Sequence, residues 1–164
     1  HEDVVVLVVV VLDIAVDADV GAGLQFCLEA VVFFRRQGIL AAEFAAAAGP
    51  ADGLPHLDVA MLGVGPDGHV ASLFPGHVGM TAPGIVIPVR NSPKPPPTRL
   101  SFTFDTINSA ARVWLVADGG AKAAALAEAL RPASGSATLP AGLVHGTEET
   151  LALLDVAAAA TLIA

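Results

Sequence analysis

Short, mostly apolar runs, separated by turn-forming residues, dominate the hydrophobic pattern of this chain. Val4–Leu12, Leu57–Leu62 and Val113–Val116 are runs of the length and composition that form strands buried on both faces of a parallel sheet. Shorter apolar or alternating segments also read as extended. The pattern therefore predicts strands at 4–12, 57–62, 85–89, 99–104, 113–116 and 151–154.

Helical periodicity appears between these runs. In Ala22–Phe34, leucines and valines recur on one helical face, and Arg35-Arg36-Gln37-Gly38 looks like the end of that helix. Other predicted helices cover 39–48, a single turn at 69–74, a short helix capped by Asp105-Thr106 and running to Ala111, 122–130 and 156–163. Strands alternating with helices predict one α/β domain over 1–164 with a mainly parallel sheet.

A glycine-rich turn, Gly63–Gly68, follows the run Leu57–Leu62 and presents Asp67 and His69 two residues apart. Ligands of α/β proteins bind at the carboxyl ends of parallel strands, which is where this turn falls. Histidine titrates nearest to neutral pH, so His69 is a candidate general base, and Asp67 is a candidate to orient it or stabilise its charged form. The alternative is a tight turn in which Asp67 caps the following helix and His69 is simply exposed.

The same turn contains Gly63, Gly65 and Gly68 in a GxGxxG pattern, which by itself is a weak signal for dinucleotide binding. Two features argue against that interpretation. Only a few residues separate Gly68 from Pro75, too few for the crossover helix of a βαβ unit. No acidic residue follows at the distance needed to bind a ribose hydroxyl. We therefore expect no nucleotide cofactor.

Composition and charge limit the partners. Hydrophobic residues make up 54% of the chain, yet no apolar run reaches the length of a membrane helix, and His1-Glu2-Asp3 lacks the basic start of a signal peptide. We therefore expect a cytoplasmic protein that does not bind membranes. The net charge of −8 argues against nucleic-acid binding and requires local cations for any anionic substrate. The single cysteine, Cys27, excludes an internal disulfide. The histidine spacings suggest no metal site.

Several longer segments carry a family resemblance. GVGPDGHVASLFPGH, residues 63–77, resembles the signature of 6-phosphogluconolactonases, which belong to a larger group of sugar-phosphate isomerases and deaminases. Asn91–Pro97, with Arg99 at its end, resembles the proline-rich segment of the lactonases. Arg112–Ala123 is similar to the family's strand followed by a GxxKA turn, and Leu151–Ala160 to its closing strand and helix. Long motifs in the right order are far more specific than one short pattern.

The resemblance implies a fold and an activity. The fold is a Rossmann-like three-layer α/β/α sandwich. The activity is hydrolysis of 6-phospho-D-glucono-1,5-lactone to 6-phosphogluconate in the oxidative pentose phosphate pathway, without a cofactor, by a monomer or homodimer. The resemblance assigns catalysis to Asp67 and His69 and phosphate binding to Lys122. It also implies an N-terminal phosphate loop and arginine that this sequence lacks, so we expect the domain to be incomplete there.

Lactone hydrolysis is acyl transfer to water, which needs a base, donors for the developing oxyanion and cations for the phosphate. The backbone amides of Gly65 and Gly68, just ahead of a predicted helix, are candidate donors. Lys122 at a helix start and Lys94 in a proline-stiffened loop are candidate substrate contacts, and the alternative for each is a solvated surface lysine. Arg90 and Arg99 are weaker candidates. A sugar-phosphate isomerase or deaminase, and a non-catalytic sugar-phosphate-binding domain, remain alternatives.

Overall fold

Four parallel strands form the main sheet of the described part of the chain. The computed structural model describes residues 8–11, 57–131 and 138–163, together with Ala42 and Leu54. The sheet has the order β1-β2-β5-β6, and a separate antiparallel pair is formed by β3 and β4. The strands are β1 Val8–Val11, β2 Val59–Gly63, β3 Val86–Val89, β4 Arg99–Phe102, β5 Arg112–Ala117 and β6 Glu149–Leu154. This confirms the predicted α/β fold with a mainly parallel sheet.

The helices of the described residues are short. They are α1 Phe104–Asn108, α2 Ala123–Leu130, α3 Pro140–Leu143 and α4 Ala160–Ile163, with single 3-10 turns at Val78–Thr81 and Gly120–Lys122. The predicted helix at 122–130 is confirmed. The helix predicted at 22–34 and all of that at 39–48 except Ala42 lie outside the described residues, as do Cys27 and His56. None of the described helices is long and apolar enough to cross a bilayer.

Helix α4 is shorter than the predicted helix 156–163. The carboxylate of Asp155 accepts hydrogen bonds from the amides of Gly119 and Ala158, at 3.1 and 2.7 Å. The bond from Gly119 ties the end of β6 to the loop that follows β5. Residues 156–159 form turns, the amide of Ala160 donates to the carbonyl of Ala157 three residues back, and regular helix begins only at Ala160.

The cap and the end of α1 both differ from the prediction. The N-cap is Thr103, whose side-chain oxygen accepts a hydrogen bond from the amide of Thr106, whereas Asp105 is exposed in the first turn. The helix ends at Asn108 rather than at Ala111. The amide of Ala111 donates to the carbonyl of Leu57 at 2.8 Å, so the chain has already joined the edge of the sheet there.

Segment 69–74 is not helical, which corrects a prediction that bears on the site. Val70 forms antiparallel bridges with Val64 and with Leu73. Gly68 has φ +78° and Ala71 has φ +49°, and these left-handed values interrupt any helix. No helix therefore starts at the turn, and Asp67 does not cap one.

The core places two loops at one edge of the sheet. Leu62 of β2 and Leu115 of β5 are adjacent in register and fully buried, and Ile107 and Leu126 are buried in the same cluster. Because β2 and β5 are parallel neighbours, their carboxyl ends meet at the same edge. The loop after β2 carries Asp67 and His69, and the loop after β5 carries Lys122.

Candidate active site

Three side chains from two separate segments converge after β2. The Nδ1 atom of His69 lies 2.5 Å from Oδ1 of Asp67, and Nζ of Lys94 lies 2.9 Å from the same oxygen. Nζ of Lys94 is also 3.3 Å from Nδ1 of His69. His69 is mostly buried, with 13% of its side chain exposed, whereas Asp67 and Lys94 are about one-third exposed. The predicted pair is thus part of a triad of imidazole, carboxylate and ammonium.

Asp67 is ionised at all ordinary pH values. Partial burial by itself would raise its pKa, but hydrogen bonds from His69 and Lys94 and the charge on His69 lower the pKa to about 2. An ionised carboxylate only accepts hydrogen bonds. The Nδ1 atom of His69 therefore carries a proton and donates it to Asp67. In a neutral imidazole this makes Nε2 the proton acceptor, and none of the described residues forms a hydrogen bond with Nε2.

Gly65 forms the floor beneath the triad. A Cβ atom at this position would lie 2.0 Å from the imidazole of His69 and 2.8 Å from Oδ1 of Asp67. Both separations are below 3.0 Å, which real Cβ contacts essentially never are, so the imidazole would have to shift. The close packing of a protein interior leaves it little room to do so. Gly65 is therefore needed for the space that it leaves, a requirement that the sequence motif alone did not reveal.

The amides of Gly65 and Gly68, both predicted to bind substrate, donate hydrogen bonds inside the turn. The Gly65 amide donates to the carbonyl of His69 and the Gly68 amide to the carbonyl of Gly65, each at 2.9 Å. Gly68 also contacts the start of α3, since its carbonyl accepts from the amide of Ala141. These hydrogen bonds of the two glycines stabilise the turn itself. A direct role in binding substrate stays a prediction.

An aromatic ring supports the imidazole from the side. Phe74 is buried, and its ring centroid lies 4.6 Å from that of His69 with the planes tilted by 32°. The guanidinium carbon of Arg99 lies 5.6 Å from the same Phe74 centroid. Phe74 thus packs between the imidazole and a buried cation. The hydrophobic pattern placed Phe74 in a helical turn and gave no sign of this contact.

Lys122 lies on the neighbouring loop and is not part of the triad. Its Nζ donates to Oδ1 of Asp118 at 3.2 Å, and its side chain is 24% exposed. The structure thus places Lys122 just before α2, at a helix start as the sequence predicted, and at the same sheet edge as Asp67 and His69, but with a different carboxylate partner. Its role in binding phosphate stays a prediction.

Two other histidines, His77 and His145, lie in the described part of the chain. Nδ1 of His77 accepts from the amide of Gly79, and its Nε2 faces the carbonyl of Arg90 at 3.0 Å. His145 is exposed. Within the described ranges, no three histidine, cysteine or acidic residues lie close enough together to hold a metal ion.

The sequence matches a known protein family over most of its length. The family model for glucosamine-6-phosphate isomerases/6-phosphogluconolactonase matches residues 36–153. The chain belongs to this family. The matched region contains all three triad residues and Lys122, so the sequence resemblance is confirmed at the level of the family.

Individual members of the glucosamine-6-phosphate isomerase/6-phosphogluconolactonase family are similar over the same region. The chain is 47% identical over 117 residues to a 6-phosphogluconolactonase of Mycobacterium leprae (strain TN), covering 71% of this chain and 47% of that protein. It is 52% identical over 110 residues to one of Streptomyces coelicolor, covering 66% and 42%. This chain therefore spans less than half the length of these two relatives.

A solved structure of the family has the same fold. The crystal structure of 6-phosphogluconolactonase from Thermotoga maritima superposes with a TM-score of 0.62 at 28% identity, covering 74% of this chain and 50% of that one. The parallel sheet and the loops at its carboxyl edge thus follow an architecture already seen in this family.

Proposed function

We propose that this chain hydrolyses 6-phospho-D-glucono-1,5-lactone to 6-phosphogluconate, a step of the oxidative pentose phosphate pathway. The observation that carries the proposal is the contact of both His69 and Lys94 with the ionised Asp67. This triad lies in a chain that is about half identical to two proteins named 6-phosphogluconolactonase. The cytoplasmic location and the monomeric or dimeric state remain predictions from the sequence.

The proposed chemistry starts at Nε2 of His69. Asp67 holds the Nδ1 proton, so Nε2 accepts a proton from water as the water oxygen bonds to the lactone carbonyl carbon. The tetrahedral intermediate then breaks its bond to the ring oxygen, which takes the proton back from the imidazolium. The products are a carboxylic acid, which ionises, and a free hydroxyl group. No cofactor is required for this sequence of steps.

Lys94 supplies positive charge at the reacting centre. Its ammonium lies 3.3 Å from Nδ1 of His69, too near to the imidazole to be reserved for a phosphate at the far end of a six-carbon substrate. An ammonium at this position stabilises the oxyanion that develops on the carbonyl oxygen. Lys122, on the neighbouring loop, then remains the cation for the phosphate, which is the role that the family resemblance implies.

The test is a comparison of substrates. The purified chain is given the phosphorylated lactone, the lactone without phosphate and glucosamine 6-phosphate, and acid release or ammonia release is followed against the uncatalysed rate. The proposal predicts fast hydrolysis of the phosphorylated lactone and much slower hydrolysis of the other lactone. Turnover of glucosamine 6-phosphate would favour the isomerase or deaminase alternative, which the family description also names. Binding without turnover would favour the non-catalytic alternative.

A further inference from the structure

The segment that carries Lys94 has little regular structure to hold it in place. It contains four prolines between Ser92 and Thr98, so few backbone amides are available for hydrogen bonds. One end is closed by a bond from the amide of Ser92 to the carbonyl of Pro97 at 2.9 Å. The amide of Lys94 donates to the hydroxyl oxygen of Ser92 at 3.3 Å. These contacts close the loop but leave the carbonyls of 94–96 for another partner.

That partner is a single buried side chain. Arg99 is only 3% exposed, and its Nε donates to the carbonyl of Pro96 at 2.9 Å. Its Nη2 donates to the carbonyl of Lys94 at 2.9 Å and also to that of Pro95. One guanidinium therefore binds three consecutive carbonyls. The planar fork of arginine suits this task, because its donors are fixed relative to one another.

Arg99 is itself held from two sides. It is the first residue of β4 and pairs with Val89 of β3, which fixes its backbone. Its guanidinium also lies near the ring of Phe74, whose other neighbour is the imidazole of His69. Arg99 thus links the backbone that carries Lys94 to the ring that supports the base.

From these contacts we propose that Arg99 is a positioning residue, which acts on catalysis by holding Lys94 against Asp67. The guanidinium binds three backbone carbonyls, a role that the sequence did not suggest when it made Arg99 a weaker candidate for a substrate contact. The inference rests on the proposed function, because the position of Lys94 matters for catalysis only if its charge stabilises the oxyanion of lactone hydrolysis. A displacement of about 1 Å at such a centre can cost on the order of 100-fold in rate.

Chemical labelling tests the positioning without any assay of activity. The sequence contains only two lysines, Lys94 and Lys122, so a limited dose of an amine-acetylating reagent followed by peptide mass spectrometry reports their ratio directly. In Arg99→Gln, release of the loop should raise labelling of Lys94 relative to Lys122 several-fold. Arg112→Gln is the matched control, since Arg112 is exposed, pairs with Glu148 and begins β5 at the end away from the triad. The labelling ratio should not change in this variant. An unchanged ratio in a folded Arg99→Gln protein would overturn the proposal.

Kinetics then test whether Arg99 acts through Lys94. Arg99→Gln should lower kcat by about tenfold or more with a smaller change in KM, and Arg99→Lys should recover part of the loss. In a Lys94→Met background, adding Arg99→Gln should change kcat by less than about twofold, because the two side chains act as one unit. Losses that multiply in the double variant would contradict the proposal.

The two measurements separate the possible failures. If the wild-type chain does not hydrolyse the lactone, the proposed function fails, yet the labelling ratio still decides whether Arg99 positions Lys94. If hydrolysis is normal and the ratio does not change, the function stands and the inference about Arg99 fails. Where Arg99→Gln does not fold, Arg99→Lys carries the labelling test, with acetylation at position 94 distinguished from acetylation at position 99 by fragmentation of the peptide, and with a smaller rise in the ratio expected.

Discussion

At the scale of single residues, the site depends on a missing side chain as much as on the three that are present. The imidazole of His69 occupies the space where a Cβ of residue 65 would be. The sequence predicted Asp67 and His69 as a pair because they stand two residues apart in a turn. It could not predict the contact with Lys94, because that contact joins positions 27 residues apart and depends on how the loop before β4 folds back.

Replacing Gly65 by Ala tests this packing. The added methyl group must displace the imidazole, so kcat for lactone hydrolysis should fall by about tenfold or more. Gly63→Ala is the matched control, because a Cβ at that position meets nothing within 4 Å. Its kcat should stay within about twofold of the wild type, since Ala fits a strand at least as well as Gly. Equal losses in both variants would show that the space at Gly65 is not special.

The lowered pKa of Asp67 predicts a dependence of stability on pH. In the folded chain its pKa is about 2, below its ordinary value of 3.8. The ionised carboxylate therefore stabilises the fold fully above about pH 4, and this contribution is lost as the pH falls toward 2. Asp67→Asn should lower the free energy of unfolding near neutral pH, and the difference from the wild type should shrink between pH 4 and pH 2. Urea titrations at several pH values measure it, and a constant difference would contradict the assignment.

At the scale of elements, the hydrophobic pattern predicted strands better than short helices. The ends of the predicted strands Leu57–Leu62 and Val113–Val116 lie within one or two residues of the ends of β2 and β5. This agreement arises because buried strands need apolar side chains along their length. Segment 69–74 has the composition of a helical turn, but it is folded by the bridges of Val70 with Val64 and Leu73. Such bridges depend on tertiary packing and leave no periodic signal.

The cap of α1 provides a test at this scale. Thr103 is fully buried, accepts from the amide of Thr106 and donates to the carbonyl of Gly84. Thr103→Ala removes the cap and should lower the free energy of unfolding by about 1–2 kcal/mol. Asp105→Ala, in the exposed first turn of the same helix, should cost less than about 1 kcal/mol. Thermal or urea unfolding of both variants measures the two losses. A larger loss for Asp105→Ala than for Thr103→Ala would show that Asp105 is the cap after all.

At the scale of the whole molecule, the parallel order of β2 and β5 brings two distant motifs to one edge. The sequence predicted a mainly parallel sheet from strands that alternate with helices, and the shared edge of the two loops is a consequence of that sheet. What it could not predict is the division of labour between the two lysines, which appears only from their partners. Lys94 contacts Asp67 beside the base, whereas Lys122 contacts Asp118 on the neighbouring loop. In a chain of net charge −8, an anionic substrate requires local cations, and the proposed function assigns Lys122 to the phosphate and Lys94 to the oxyanion.

The two lysines should therefore differ in kinetics. Lys122→Met should raise KM for the phosphorylated lactone with a smaller change in kcat, because a phosphate contact is made equally in the ground state and the transition state. Lys94→Met should mainly lower kcat, because the oxyanion exists only in the transition state. Steady-state kinetics of both variants give the comparison. A fall in kcat without a rise in KM for Lys122→Met would contradict its assignment to the phosphate and would favour a role at the oxyanion instead.

The central claim is that His69 activates water for lactone hydrolysis. The most direct measurement is kcat for hydrolysis of 6-phospho-D-glucono-1,5-lactone by the wild type and by His69→Asn, each corrected for the uncatalysed rate. Loss of a general base predicts a fall of about 10²- to 10⁴-fold in a variant that remains folded by circular dichroism. A His69→Asn variant that hydrolyses the lactone as fast as the wild type would contradict the account.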